Sequence, residues 1–224
     1  FYGLHFEDKK WIFREWAPNA TAIYLIGDFN NWEEKPEYRL KKLRNAIGWE
    51  IILPQKALKH GDLYKLKIYW DGGCGERIPA WANRVVQDEE TKIFSAQVWA
   101  PAKPYKFKKK VFKPNVGPLM IYECHIGMGQ DAEKVGTYNE FRENVLPRVQ
   151  KDGYNCIQIM AIQEHPYYGS FGYHVSSFFA PSSRFGTPDE LKQLIDTAHQ
   201  MGIAVIMDIV HSHAVKNEVE GLGN

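Results

Sequence analysis

The chain has 224 residues, of which 44% are hydrophobic and 25% charged, with a formal net charge of +1. That is the composition of a folded globular protein with enough apolar mass for one or two domains. Near neutrality gives no general pull toward nucleic acid or anionic membrane, and no window approaches the ~18–20 apolar residues of a membrane-spanning helix.

The first hundred residues read as all-β. Short runs rich in aromatic and β-branched residues, "KKWIFREWAP", "ATAIYLIGDF", "GWEIILP" and "DLYKLKIYWDG", are separated by turn signals at Pro18-Asn19, Asn30-Asn31, His60-Gly61 and Asp71-Gly72-Gly73. Spacing of this kind predicts a small β-sandwich over residues 1–100. Residues 101–118 follow as a linker; the stretch Ala100 to Pro118 holds six lysines among prolines and aromatics and reads as a solvated connection, with a basic contact strip as the alternative. Cys74, Cys124 and Cys156 are odd in number and far apart, which predicts free thiols in a reducing compartment. The chain opens on "FYGLHF" and stops at "EGLGN", so both ends read as cut.

From residue 119 to 224 the pattern changes to alternation of strand and helix. "LMIYECH" (Leu119 to His125), "CIQIMAI" (Cys156 to Ile162) and Ile203 to Val210 are apolar runs of the kind buried on both faces. Between them lie two helices. One opens with a capping box at Thr137 and Glu140 and stops at Gly153; the other has Thr187 as N-cap, Pro188 at its first position, Glu190 closing the box and Gly202 at its end. Leu191, Leu194, Ile195 and Ala198 mark the apolar face of the second. The order βαβαβ predicts a parallel sheet, with three strands where a (β/α)₈ barrel needs eight and roughly 250 residues.

The third run ends in "MDIVHSHA", which puts Asp208, His211, Ser212 and His213 at the C-terminal end of a parallel strand, where such folds place ligand sites. A metal reading would use the His-x-His pair, but no Cys/His spacing of a zinc type accompanies it. Histidines capping a strand end within the core are a second reading. The third, hydrogen bonding to a polyol, is the one carried forward. The long connection "QEHPYYGSFGYHVSSFFAPSSRFGTP" is dense in Tyr, Phe, Ser and His, the residue types that stack on sugar faces and bond hydroxyls.

"IMDIVHSHA", "EHPYYGSFGYHVSSFFAPSSRFGTPDEL" and "IYECHIG" resemble the first conserved regions of the α-amylase family of glycoside hydrolases, most closely the eukaryotic-type 1,4-α-glucan (glycogen or starch) branching enzymes. "FREWAPNATAIYLIGDFNNW" resembles the carbohydrate-binding module that precedes their barrel. The resemblance implies an immunoglobulin-like sandwich followed by the first three βα units of a truncated (β/α)₈ barrel. It implies cleavage of α-1,4 bonds and transfer of the chain to a 6-hydroxyl, forming α-1,6 branches. The nucleophilic Asp and the acid/base Glu would lie beyond Asn224, so this chain is expected to be inactive alone. Glu164 and Asp208 are the acids that could be mistaken for them. The other readings kept open are a debranching or trehalose-releasing relative and a non-catalytic glucan-binding protein.

Carried over by the resemblance, His213 contacts the glucose at the scissile bond, Tyr173 packs on that sugar, and Asp208 pairs with an Arg of the next strand. His165 belongs to the same site with a less defined role. Ser212 stands where amylases often have a calcium-ligating Asn, so no metal is expected, and no cofactor. In the module, Trp32 matches a ring that stacks on glucan and Lys67 a nearby polar contact. A second stacking Trp of related modules aligns near Cys74; Trp16 and Trp49 are its possible substitutes. The implied partner is an α-glucan (glycogen, amylose or amylopectin), with neither nucleic acid nor membrane. A monomer in the cytoplasm, or in a plastid for a plant source, is the expectation.

Overall fold

The computed structural model describes residues 1–44, 48–114, 117–212 and 214–216. The chain divides into two compact units, one built on Phe1–Pro101 with Ser176–Ala180, the other on Ala102–Val175 and Pro181–Ala214.

The first unit is a sandwich of two antiparallel sheets. In chain order its strands are β1 (Gly3–Glu7), β2 (Lys10–Trp16), β3 (Ala20–Gly27), β4 (Lys41–Lys42), β5 (Gly48–Pro54), β6 (Leu63–Trp70), β7 (Gly73–Arg77), β8 (Val85–Gln87) and β9 (Phe94–Gln97). One sheet runs β1-β2-β5-β4; the other runs β3-β6-β9-β8, with β7 also on β6. Strand alternation sends Trp11 and Phe13 of β2, Ile23 and Leu25 of β3, Trp49, Ile51 and Leu53 of β5 and Leu66 of β6 into one shared core. The four predicted strands are all present. β1, β4, β7, β8 and β9 escaped the sequence reading because they are short or rich in Gly and charge.

One inward position on β2 is a carboxylate. Glu15 is 3% exposed, and its two oxygens accept the backbone N–H groups of Trp16 (2.9 Å) and Ala80 (3.1 Å). Burial pushes its pKa up to about 7, against the pull of those two hydrogen bonds.

The second unit holds a three-stranded parallel sheet of β10 (Ile121–Cys124), β11 (Cys156–Ile159) and β14 (Ala204–Met207), in the order β10-β11-β14. Between β11 and β14 in the chain come the short strands β12 (Gln163–Glu164) and β13 (Ser177–Pro181), the latter falling almost wholly in the segment Ser176–Ala180 of the first unit. Glu123 is level with Gln158, and Gln158 with Ile206. Both predicted capping boxes form, at Thr137 with Glu140 and at Thr187 with Glu190. The second heads α3 (Pro188–Gln200), whose Leu191, Leu194 and Ala198 are buried. The first helix is not uniform. It begins as α1 (Tyr138–Glu140), widens into a π-turn over Phe141–Val145 and resumes as α2 (Leu146–Lys151). Leu146 N–H donates to Phe141 C=O, one residue further back than in an α-helix. Pro147 explains the widening: it has no N–H to give and its ring crowds the preceding turn.

The lysine-rich segment differs from a free solvated connection. The Tyr105 hydroxyl (2.6 Å) and the backbone N–H groups of Lys108 (2.8 Å) and Lys109 (2.9 Å) all donate to the buried carboxylate of Asp196 on α3. Phe112 stacks on His199 with ring centroids 4.2 Å apart. The lysine side chains themselves are exposed. All three thiols are free: Cys74 on β7 is exposed, whereas Cys124 and Cys156 are buried and their pKa values are raised by that burial, Cys124 to about 12.

Glu15 gives the sandwich a defined pH response. An unfolded Glu ionises near pH ~4.3, while folded Glu15 keeps its proton to about 7, so folding binds a proton between these values. Stability from this group is full below the lower value and is lost as pH rises through the upper one. The unfolding midpoint of the first unit, followed by hydrogen exchange of β2 amides, should therefore fall from about pH 5 to about pH 8, and Glu15→Gln should flatten the fall. An identical slope in both proteins would remove Glu15 as its source.

Candidate carbohydrate sites

On the sandwich, the segment Asp28 to Trp32 is built to expose a ring. Asn31 (φ 58°) and Trp32 (φ 59°) are both left-handed, a conformation that non-glycine residues hold only when their surroundings impose it. Here Trp32 N–H donates to Gly27 C=O (2.9 Å) and the indole Nε1–H to Asp28 Oδ1 (3.0 Å). Beneath them, buried Asn30 accepts from Gly27 N–H and donates to Leu25 C=O, both at 2.9 Å. The Trp32 ring remains 38% exposed.

Lys67 lies on β6, level with Tyr24 of β3 and Glu76 of β7. Two residues on, Tyr69 shares its face, and the Tyr24 and Tyr69 rings meet edge-on at 6.3 Å. The Tyr69 hydroxyl donates to the Glu34 carboxylate at 2.8 Å, tying the Trp32 turn to the face of Lys67. The register also sets Cys74 opposite Tyr69. Tyr24 and Tyr69 were missed at the sequence level, although the spacing of Lys67 and Tyr69 already puts them on one side of a strand.

The two substitute rings separate. Trp16 is 51% exposed and borders a cleft of about 570 Å³ with Trp70, Arg77 and Ile78. Trp49 has to be withdrawn as a glucan platform. It is 4% exposed, points inward with Ile51 and Leu53, and its indole N–H is spent on Ala17 C=O at 2.9 Å.

In the second unit, Asp208 N–H donates to Ile159 C=O (2.9 Å), which continues the ladder beyond β14. Asp208 therefore shares a face with Ile206 and Gln158, and Gln158 Nε2 donates to Asp208 Oδ1 at 2.8 Å. Glu123 lies on the same face and is exposed. Tyr173 is 38% exposed; its phenol pKa is raised by burial and then by the charges of Asp208 and Glu123. Glu123 is the acid that sequence reading overlooked.

Two other acids and bases stand elsewhere. Glu164 is 1% exposed and accepts His165 N–H (3.1 Å), the Ser182 hydroxyl (3.1 Å) and Ser183 N–H (2.7 Å), so it anchors the loop and does not face the cleft. His165 is fully buried, which corrects its placement among sugar contacts. Its Nδ1–H donates to Gln163 C=O at 3.0 Å, its ring is tilted against Phe185, and burial holds its pKa below the usual histidine range. His213 lies outside the described residues. Among the described residues no group of three or more His, Cys, Asp or Glu is placed to hold a metal, and no helix is long and apolar enough to cross a membrane.

Residues 1–82 match the family described as carbohydrate-binding module 48 (isoamylase N-terminal domain), and residues 132–220 the α-amylase catalytic domain. The chain is 46% identical to the 1,4-alpha-glucan-branching enzyme of Dictyostelium discoideum, over 99% of this chain and 33% of that protein. It is 46% identical to that of Saccharomyces cerevisiae (99% and 34%) and 48% identical to the chloroplastic/amyloplastic enzyme 2-2 of Arabidopsis thaliana (98% and 28%). It thus spans about a third of the length of these relatives. Among solved structures, the catalytic module of the glycogen-degrading pneumococcal virulence factor SpuA shares the fold at TM-score 0.78 and 18% identity, over 98% of this chain and 38% of that one. The pullulanase of Bacillus acidopullulyticus does so at TM-score 0.78 and 19% identity, over 98% and 30%.

The grouping of Tyr173 with Asp208 carries its own test. Asp208→Asn should lower the Tyr173 phenol pKa toward the ordinary tyrosine value, read by NMR of ring-labelled tyrosine with Tyr173→Phe to assign the signal. An unmoved titration would separate the two residues.

Proposed function

We propose that this chain, a member of the α-amylase family that matches 1,4-alpha-glucan-branching enzymes along its whole length, supplies a glucan-holding module and one side of a reaction cleft to such an enzyme. The domain assignment is a module over residues 1–100, a linker over 101–118 and the opening of the barrel over 119–224. The observation that carries the reading is the row Glu123, Gln158 and Asp208 at the C-terminal ends of parallel strands, with the turn before Tyr173 bonded at Phe171 C=O to His125, which follows β10. A ring and hydrogen-bonding side chains at that end of the sheet suit a neutral sugar.

In the longer protein, an α-1,4 bond is cleaved through a covalent glycosyl intermediate and the chain is passed to a 6-hydroxyl. That chemistry needs two carboxylates about 5–5.5 Å apart, a nucleophile and an acid/base. Asp208, held by Gln158, serves as scaffold, and both working carboxylates come from beyond Asn224. Tyr173 is the sugar platform and His213 a hydrogen-bond donor to the reacting glucose. On the module, Trp32 is the principal platform with Lys67 beside it, and Trp16 is a second. The partner is a linear or branched α-glucan, the assembly a monomer, and the place of action the cytoplasm, or the plastid in a plant.

Two measurements test this. Stacking of one ring on a sugar is worth about 1–2 kcal/mol by analogy with other aromatic contacts, so Trp32→Ala should weaken maltoheptaose binding roughly 5–30-fold; unchanged affinity would move the platform to Trp16. In the full-length protein, His213→Ala should lower kcat by about 10²–10³, the scale of one well-placed donor, with the melting temperature held. Full activity with a large loss of stability would make His213 a core residue instead.

A further inference from the structure

His125 follows β10 with extended backbone (φ −111°, ψ 122°), so strand alternation carries it to the face of Glu123. It is 8% exposed, ringed edge-on by Tyr168, Phe171 and Phe185 at 6.1, 5.8 and 5.6 Å. Its Nε2–H donates to the carbonyl of Phe171 at 3.2 Å, a contact between residues 46 positions apart. Nδ1 has no hydrogen-bond partner among the described residues. A carbonyl can only accept, so Nε2 carries a proton and commits it to Phe171.

The receiving carbonyl sits in an unusual turn. Phe171 (φ 52°) and Gly172 (φ 90°) are consecutive left-handed residues, and a Cβ at Gly172 would stand 2.0 Å from the Ala161 carbonyl oxygen. The turn is thus pressed onto the end of β11, where Ala161 itself has φ 37°. Tyr173 follows at once, its N–H donating to Ser170 C=O at 3.0 Å. Hydrogen bonds inside the turn fix its shape, while the bond from His125 fixes its orientation against β10.

We propose that His125 is a positioning residue: acting through the Phe171 carbonyl, it sets the Tyr173 ring for stacking on the sugar beside Asp208. This rests on the reading of Tyr173 as a sugar platform.

The test uses the full-length protein with His125→Phe, which keeps a ring and loses the donor, and His125→Gln, whose amide N–H reaches about as far as Nε2. His125→Phe should shift the ring-labelled Tyr173 resonance and lower kcat on amylose about tenfold, the scale of one lost hydrogen bond, while maltoheptaose binding at Trp32 holds. His125→Gln should return both readouts to within about twofold of wild type. The double variant His125→Phe with Tyr173→Ala should cost no more than Tyr173→Ala alone. An unmoved Tyr173 resonance in His125→Phe, or additive losses in the double variant, would overturn the proposal. If the resonance moves but Tyr173→Ala costs no activity, the positioning stands and the sugar reading falls. Should His125→Phe fail to fold, His125→Asn, too short to reach Phe171, replaces it, and equal behaviour of the Asn and Gln variants would overturn the proposal.

Discussion

The carboxylate of Glu164 closes the long connection of the second unit. From the end of β12 it reaches eighteen residues ahead to the Ser182 hydroxyl and takes Ser183 N–H as well, while Tyr138 of α1 donates to the Ser182 carbonyl at 2.9 Å. Between these ends lie the turn that carries Tyr173 and the strand β13, so the buried acid and Tyr138 together hold the base of the connection. Burial raises the pKa of that acid, and the hydrogen bonds from His165, Ser182 and Ser183 oppose the shift. A connection anchored this way presents its aromatic rings already ordered, which lowers the entropy cost of binding.

The same economy recurs on the sandwich with different parts. There a short turn, not a long loop, holds the ring, and the locking groups are Asn30 and Asp28. A neutral sugar has no charge to attract it from a distance, so a protein that holds one depends on surfaces already in place. Both candidate sites meet that demand with left-handed backbone beneath or beside an exposed ring, at Trp32 and at Phe171-Gly172. On the sandwich Asp28 bonds the ring directly, whereas in the second unit His125 bonds the turn two residues before it.

How far the sequence revealed this follows from the range of each interaction. The two capping boxes were legible because Thr137 with Glu140, and Thr187 with Glu190, bond within three residues. The three parallel strands were legible as apolar runs, though regular pairing stops sooner than the runs do, at Ile159 and Met207. Trp16 and Trp49 are each an aromatic on a predicted strand, and alternation separates them: Trp49 shares a face with the buried Ile51 and Leu53, Trp16 with Lys10 and Arg14. Glu164 and Glu123 were exchanged because the first is enclosed by residues far ahead of it, which no local pattern shows, while the second is open. The π-turn at Phe141–Val145 had a local cause in Pro147, and Pro inside a helical pattern is a visible signal of irregularity.

The distribution of the thiols has a practical side. Cys124 and Cys156 are sealed in the second unit with raised pKa values, so at neutral pH they present almost no thiolate to a reagent. Cys74 is exposed, on the strand that flanks Lys67 and Tyr69. An environment-sensitive maleimide dye therefore labels the unaltered chain at a single place on the sheet face of Lys67, and its emission becomes an optical readout of that surface with no engineered cysteine.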